Sequence, residues 1–66
     1  MNLTVNGENQ ELREPGTLGQ LLDALGIVPD RVAVMVNGRV IPKADRNDVS
    51  LREGDRLEIL TFMGGG

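Results

Sequence analysis

Thr17-Leu18-Gly19-Gln20-Leu21-Leu22-Asp23-Ala24-Leu25-Gly26 reads as a short amphipathic helix with both of its ends specified. Thr17 is placed to accept a hydrogen bond from a free backbone N–H of the first turn, and Gln20, three residues on, can complete a capping box. Leu18, Leu21, Leu22 and Leu25 recur at i, i+3, i+4 and i+7, which gathers them into one apolar stripe. Gly26 provides the left-handed residue at which such helices commonly stop. On either side of this segment the apolar period changes from helical to two, the period of a strand.

Upstream, Met1, Leu3 and Val5 alternate with Asn2 and Thr4, as in a half-buried strand. Asn6-Gly7 predicts a tight hairpin turn, and a second strand returns at about Gln10 to Arg13, ended by Glu14-Pro15-Gly16. Downstream of Ile27-Val28-Pro29-Asp30, Val32, Val34 and Val36 alternate with Ala33, Met35 and Asn37, a strand rich in β-branched residues. A second Asn-Gly pair, Asn37-Gly38, leads to a short strand at Arg39 to Ile41, which Pro42 confines to a sheet edge. The polar run Lys43 to Ser50 reads as a surface loop, Glu53-Gly54-Asp55 as a turn, and Arg56 to Phe62 as the last strand. One helix among these strands predicts an α+β fold, with the helix covering one face of a mixed sheet of four to five strands. The expected organisation is a single domain over residues 1–63 followed by a flexible glycine tail over residues 64–66.

Composition removes several function classes. A chain of 66 residues buries only about 60% of the surface its unfolded form exposes, so the core is simple. With neither cysteine nor histidine, there is no disulfide, no structural zinc, no side-chain persulfide, and no Ser-His-Asp or Cys-His catalytic site. Seven basic against ten acidic residues give a net charge of −3, and Phe62 is the sole aromatic. Nucleic-acid binding calls for a basic face and usually for stacking platforms, so it is not expected. No apolar run has the length of a membrane span, and the start of the chain lacks the pattern of a signal peptide, so the expected compartment is the cytoplasm. Asp45-Arg46-Asn47-Asp48 misses the calcium-loop pattern, and Gly16-Thr17-Leu18-Gly19 lacks the Gly-Lys-Ser/Thr of a phosphate loop. An enzyme is not expected, and neither is a bound cofactor or metal.

Two features remain for function. On the last strand Leu57 and Ile59 share one face, while Arg56, Glu58, Leu60 and Phe62 share the other. The two charged residues mark that second face as solvent-facing, which leaves Leu60 and Phe62 apolar and outside the core. Met35 has the same outward parity on its strand. Were those two strands neighbours, Met35, Leu60 and Phe62 would form one patch fit for docking a partner, with Met63 continuing toward the tail. The second feature is Gly64-Gly65-Gly66. Glycine has no Cβ and suits a thin arm that enters another protein's active site. A carboxylate on Gly66 is ionised and unreactive to nucleophiles at neutral pH, so it needs activation, as by adenylation, before sulfur can replace one of its oxygens.

The sequence resembles the ThiS family, the sulfur carrier proteins of thiazole formation in thiamine biosynthesis. The resemblance rests on Leu3-Thr4-Val5-Asn6-Gly7, Thr17-Leu18 with Leu21-Leu22, Val32-Ala33-Val34 through Val36-Asn37-Gly38 to Pro42, Glu53-Gly54-Asp55, and Phe62-Met63-Gly64-Gly65-Gly66. It implies the β-grasp fold shared with ubiquitin, in which the first and last strands lie parallel in mid-sheet and the third flanks the last. It further implies that Gly66 carries the adenylate and then the thiocarboxylate, and that Gly64 and Gly65 enter the partner's site. The implied partners are an E1-like adenylyltransferase (ThiF-like) using ATP and magnesium, a cysteine desulfurase as sulfur source, and a thiazole synthase (ThiG-like) as acceptor. Arg46 stands where many relatives have an aromatic residue. Other readings stay open: the same carrier chemistry serving molybdopterin synthesis, tRNA thiolation or ubiquitin-like conjugation, or a simple protein-binding module whose tail is inert.

Overall fold

Two Asn-Gly turns frame the sheet. Asn6 and Asn37 both have φ 52°, and Gly7 and Gly38 both have φ 83°, the consecutive left-handed residues of a type I′ hairpin. The first turn joins β1 (Asn2–Val5) to β2 (Glu8–Glu11), and the second joins β3 (Val32–Val36) to β4 (Arg39–Ile41). The computed structural model describes residues 1–13 and 16–62. Glu14, Pro15 and residues 63–66 lie outside that range, and with them the expected strand stop at Glu14-Pro15 and the boundary between domain and tail.

β2 starts two residues earlier than the sequence pattern suggests. A two-residue turn returns the chain directly into pairing, so Glu8 lies opposite Val5 and Glu11 opposite Asn2. Glu8-Asn9-Gln10-Glu11 has no apolar alternation to announce a strand; the turn alone sets its register. A bond from Leu12 N–H to Met1 O at 2.8 Å carries the pairing a step further.

The last strand, β5 (Arg56–Thr61), lies in the middle of a five-stranded sheet of order β2-β1-β5-β3-β4. It runs parallel to β1 and antiparallel to β3. This is the β-grasp arrangement, and Pro42 follows an edge strand, as expected. The turn Glu53-Gly54-Asp55 fixes where β5 begins. The Glu53 carboxylate accepts from Asn2 N–H at 3.0 and 3.1 Å, and Gly54 N–H donates to Asn2 O at 2.7 Å. On the other side the Asn37 side chain donates to Asp55 Oδ1 at 2.9 Å and accepts from Arg56 N–H at 2.9 Å.

The helix α1 (Leu18–Ala24) crosses one face of this sheet. Its start is the expected capping box: Gln20 N–H donates to Thr17 Oγ1 at 3.2 Å, and Thr17 N–H donates to Gln20 Oε1 at 2.9 Å. Its end is a Schellman motif around Gly26 (φ 71°), with Ile27 N–H donating to Leu22 O and Gly26 N–H to Asp23 O, each at 3.0 Å. Leu18, Leu21 and Leu22 are buried, whereas Leu25 is the C-cap residue beyond the last turn and is exposed. The stripe therefore delivers three leucines, not four. They pack with Leu3, Val5, Val32, Val34, Ile41, Leu51, Leu57 and Ile59 into one core.

The expected loop from Lys43 to Ser50 is a correction. Lys43–Asp48 forms a 3₁₀-helix, and Arg46 is only 6% exposed, its guanidinium donating to Val32 O at 2.7 Å. The bond satisfies a main-chain carbonyl at the start of β3. Position 19 lets α1 come close to this segment, because a Cβ there would collide with the Asn47 side-chain amide. Leu18 N–H to Val49 O and Leu51 N–H to Gly16 O, both at 2.9 Å, stitch the two segments together.

Candidate docking face and carrier tail

Because α1 covers only one face, side chains of opposite parity on β5 stay in solvent. Leu57 and Ile59 point into the core at 0% and 8% exposure, while Leu60 and Phe62 on the other face are 60% and 58% exposed. β3 does flank β5, with Ala33 opposite Leu60 and Met35 opposite Glu58. Met35 is thus diagonal to Leu60, and Phe62 lies one strand repeat further on, its N–H donating to Arg31 O at 2.8 Å. On the far side Met35 pairs with Val40, which is 63% exposed.

The expected patch of Met35, Leu60 and Phe62 is accordingly one face, widened by Ala33 and Val40. Sequence reasoning passed over both added residues. Ala33 shares Met35's parity but is small, and Val40 joins only once the Asn37-Gly38 turn fixes the register of β4 against β3. Across β5 toward β1 and β2 the same face turns polar, through Arg56, Glu58, Thr4 and Asn9. An apolar area bordered on one side by charged and amide groups is the usual layout of a docking surface. Met63, Gly64, Gly65 and Gly66, the remaining members of the expected site, lie outside the described residues.

Asn6 is a further residue whose task the sequence did not announce. Its side-chain amide accepts from Ile59 N–H at 2.8 Å and donates to Ile59 O at 3.2 Å. The side chain stands where β1 would continue had it not turned, and so prolongs the grip on β5 by one ladder step. An Asn-Gly pair advertises a turn, whereas a second task for the asparagine shows only once the strands are placed.

Nothing else among the described residues offers reaction chemistry. Asp45 and Asp48 are both exposed. The groove of about 430 Å³ lined by Leu12, Arg13, Gly16, Thr17, Gln20, Leu21 and Ala24 has, among the described residues, Arg13 as its one ionisable side chain. Among the described residues, no helix is long and apolar enough to cross a membrane.

Comparison with known proteins agrees with this geometry. A match to the ThiS family spans residues 3–66. The sulfur carrier protein ThiS of Thermus thermophilus is 36% identical over 62 residues, covering 94% of this chain and 95% of that protein. A thiazole synthase of Paramagnetospirillum magneticum is 39% identical over all 66 residues, although the chain spans only 20% of that protein's length. The crystal structure of the thiamine biosynthesis protein ThiS from Geobacter metallireducens superposes with a TM-score of 0.86 at 38% identity, with both chains covered in full. A match over nearly every residue, a relative covered almost from end to end and a shared fold together make this chain a member of the ThiS family.

Proposed function

We propose that this chain is a sulfur carrier for thiamine thiazole formation, working through the carboxyl group of Gly66 and itself performing no catalysis. A carboxylate oxygen of Gly66 attacks the α-phosphorus of ATP on an E1-like adenylyltransferase that holds magnesium, giving the acyl-adenylate and releasing pyrophosphate. The terminal sulfur of a persulfide formed through a cysteine desulfurase then attacks the acyl carbon and displaces AMP, giving an acyl disulfide, and a thiol reductant cleaves its S–S bond to leave the thiocarboxylate and a disulfide. Thiazole synthase receives that sulfur. The surroundings are the cytoplasm, where ATP is at hand.

The observation that carries this reading is the course of β5. A strand anchored in mid-sheet on both sides leads, through the exposed Leu60 and Phe62, directly to the three glycines. The rigid part gives a partner something to hold, and the glycines are slim enough to enter its active site. The named ThiS relatives and the thiazole synthase that shares this region support the same client.

Incubation with the adenylyltransferase, ATP, magnesium, a desulfurase with cysteine and a thiol reductant, followed by intact-mass measurement, tests the reading. The expected product is heavier by the difference between sulfur and oxygen, located at Gly66, and a variant lacking Gly66 stays unchanged while remaining folded. Isopeptide adducts to lysines in place of the sulfur-loaded form would overturn it in favour of conjugation.

A further inference from the structure

The two edges of β5 are not equally filled. On the β3 side, register runs from Val36 opposite Leu57 to Val32 opposite Thr61, and the Phe62 N–H reaches Arg31 O one step beyond. On the β1 side, strand pairing ends at Val5 opposite Leu57, and Asn6 N–H donates to Leu57 O at 2.9 Å. The Asn6 side chain then takes both main-chain groups of Ile59. Successive residues of a strand send their N–H and C=O to alternate edges. Asp55, Leu57 and Ile59 face β1, so the N–H and C=O of Thr61 face the same way. They stand one step past Asn6, where no described residue bonds to them.

The result is a short open edge on an otherwise fixed segment, flanked by the exposed apolar Leu60 and Phe62 and leading into the glycines. Unpaired strand edges are templates for another extended chain. We propose that the open step at Thr61 is a docking strip on which thiazole synthase lays an extended segment of its own backbone, adding a strand beside the tail. The inference rests on the sulfur-carrier reading for its partner. Thiazole synthase is the occupant because the Paramagnetospirillum thiazole synthase aligns with this whole chain over a fifth of its own length, which places carrier-like and synthase regions in one polypeptide. Main-chain pairing sets direction and register together. It fixes the orientation of β5 against the synthase, as delivery of the carrier end to a buried site requires.

Proline at position 61 deletes the N–H that this pairing uses and removes no bond made among the described residues, and proline is tolerated where a strand residue faces an open edge. Thr61→Pro is expected to keep the amide spectrum of the core and to weaken binding to thiazole synthase about tenfold in Kd, the usual effect of a lost main-chain bond with an orphaned partner. Phe62→Pro, which removes the bond to Arg31 O, is expected to loosen the end of β5 even in the free protein. A semisynthetic chain with N-methyl-Thr61 repeats the test if the proline variant fails to fold. In wild type the Thr61 amide is expected to exchange freely when the protein is alone and to become protected in the complex. Unchanged affinity of the N-methyl chain, a Thr61 amide that stays unprotected in the complex, or no binding by wild type overturns the strip. Sulfur loading of wild type is scored separately by mass. Loading with indifference at Thr61 overturns the strip alone, and synthase binding without loading overturns the carrier reading alone.

Discussion

The two halves of β5 are opposites built on one backbone. From Arg56 to Ile59 the apolar side chains, Leu57 and Ile59, point toward α1 and vanish from solvent, while Arg56 and Glu58 face water. From Leu60 onward the parity inverts: Leu60 and Phe62 face water, and Thr61, which has the inward parity, is exposed as well. The first half is gripped on both edges, by β1 with Asn6 and by β3; among the described residues the second is gripped by β3 alone. The inversion between Ile59 and Leu60 marks where the core ends and an exposed apolar face starts. Residue type does not separate Ile59 from Leu60. The layer above them does.

The sharpest way to break this comparison is to shorten a leucine in the first half. Leu57 is fully buried in mid-sheet, and Leu57→Ala is expected to cost roughly 2 to 5 kcal/mol through lost transfer energy and a residual cavity. In so small a domain each kcal/mol is worth about 4 to 8 °C in Tm, so thermal melts followed by circular dichroism should show a fall of at least about 8 °C or loss of the folded state. A loss below about 1 kcal/mol would mean that Leu57 is not the core residue its burial indicates.

Much of this division was legible in the residues themselves. The break in alternation at Leu60 is visible in Leu57-Glu58-Ile59-Leu60-Thr61-Phe62, and the helix caps at Thr17 and Gly26 are local chemistry that tertiary context did not alter. What the sequence hid was set by distance along the chain. Arg46 is an ordinary charge in a polar run until Val32 O, fourteen residues away in sequence, draws it inward. β2 is a strand made of polar residues, held by turn geometry. Val40 joined the exposed apolar face through register, and Asn6 serves a strand 53 residues away. Periodicity reports which face a residue takes, not what waits there.

Asn6 gives the next test, smaller than the core deletion, because it asks what keeps the first half of β5 gripped. Asn6→Gly keeps the left-handed backbone but withdraws both bonds to Ile59, and is expected to cost about 1 to 3 kcal/mol, mostly from stranding the half-buried Ile59 N–H. Asn6→Ala adds the strain of φ 52° on a residue that cannot offset it, roughly 1 kcal/mol more. Urea titrations of the two variants separate clamp from turn. Amide exchange should single out Ile59 as the position whose protection falls most. Equal stabilities of wild type and Asn6→Gly would reduce Asn6 to a turn residue.

The smallest change in stability belongs to the second half, and there the contrast with Leu57 is most informative. Leu60 and Phe62 are each more than half exposed, so Leu60→Ser combined with Phe62→Ser should alter unfolding free energy by no more than about 0.5 kcal/mol, as surface substitutions generally do. If these side chains dock a partner as proposed, they are the kind of aliphatic and aromatic anchors that supply most of the energy of a complex once buried. The same double variant is therefore expected to bind thiazole synthase at least about tenfold more weakly, measured by titration calorimetry with the melting curve as control. Its anchors act through side chains and the Thr61 strip through main chain, so the two losses should combine when both are introduced. A double variant that melts like wild type and also binds like wild type would show that the parity inversion at Leu60 ends the core without opening a docking face.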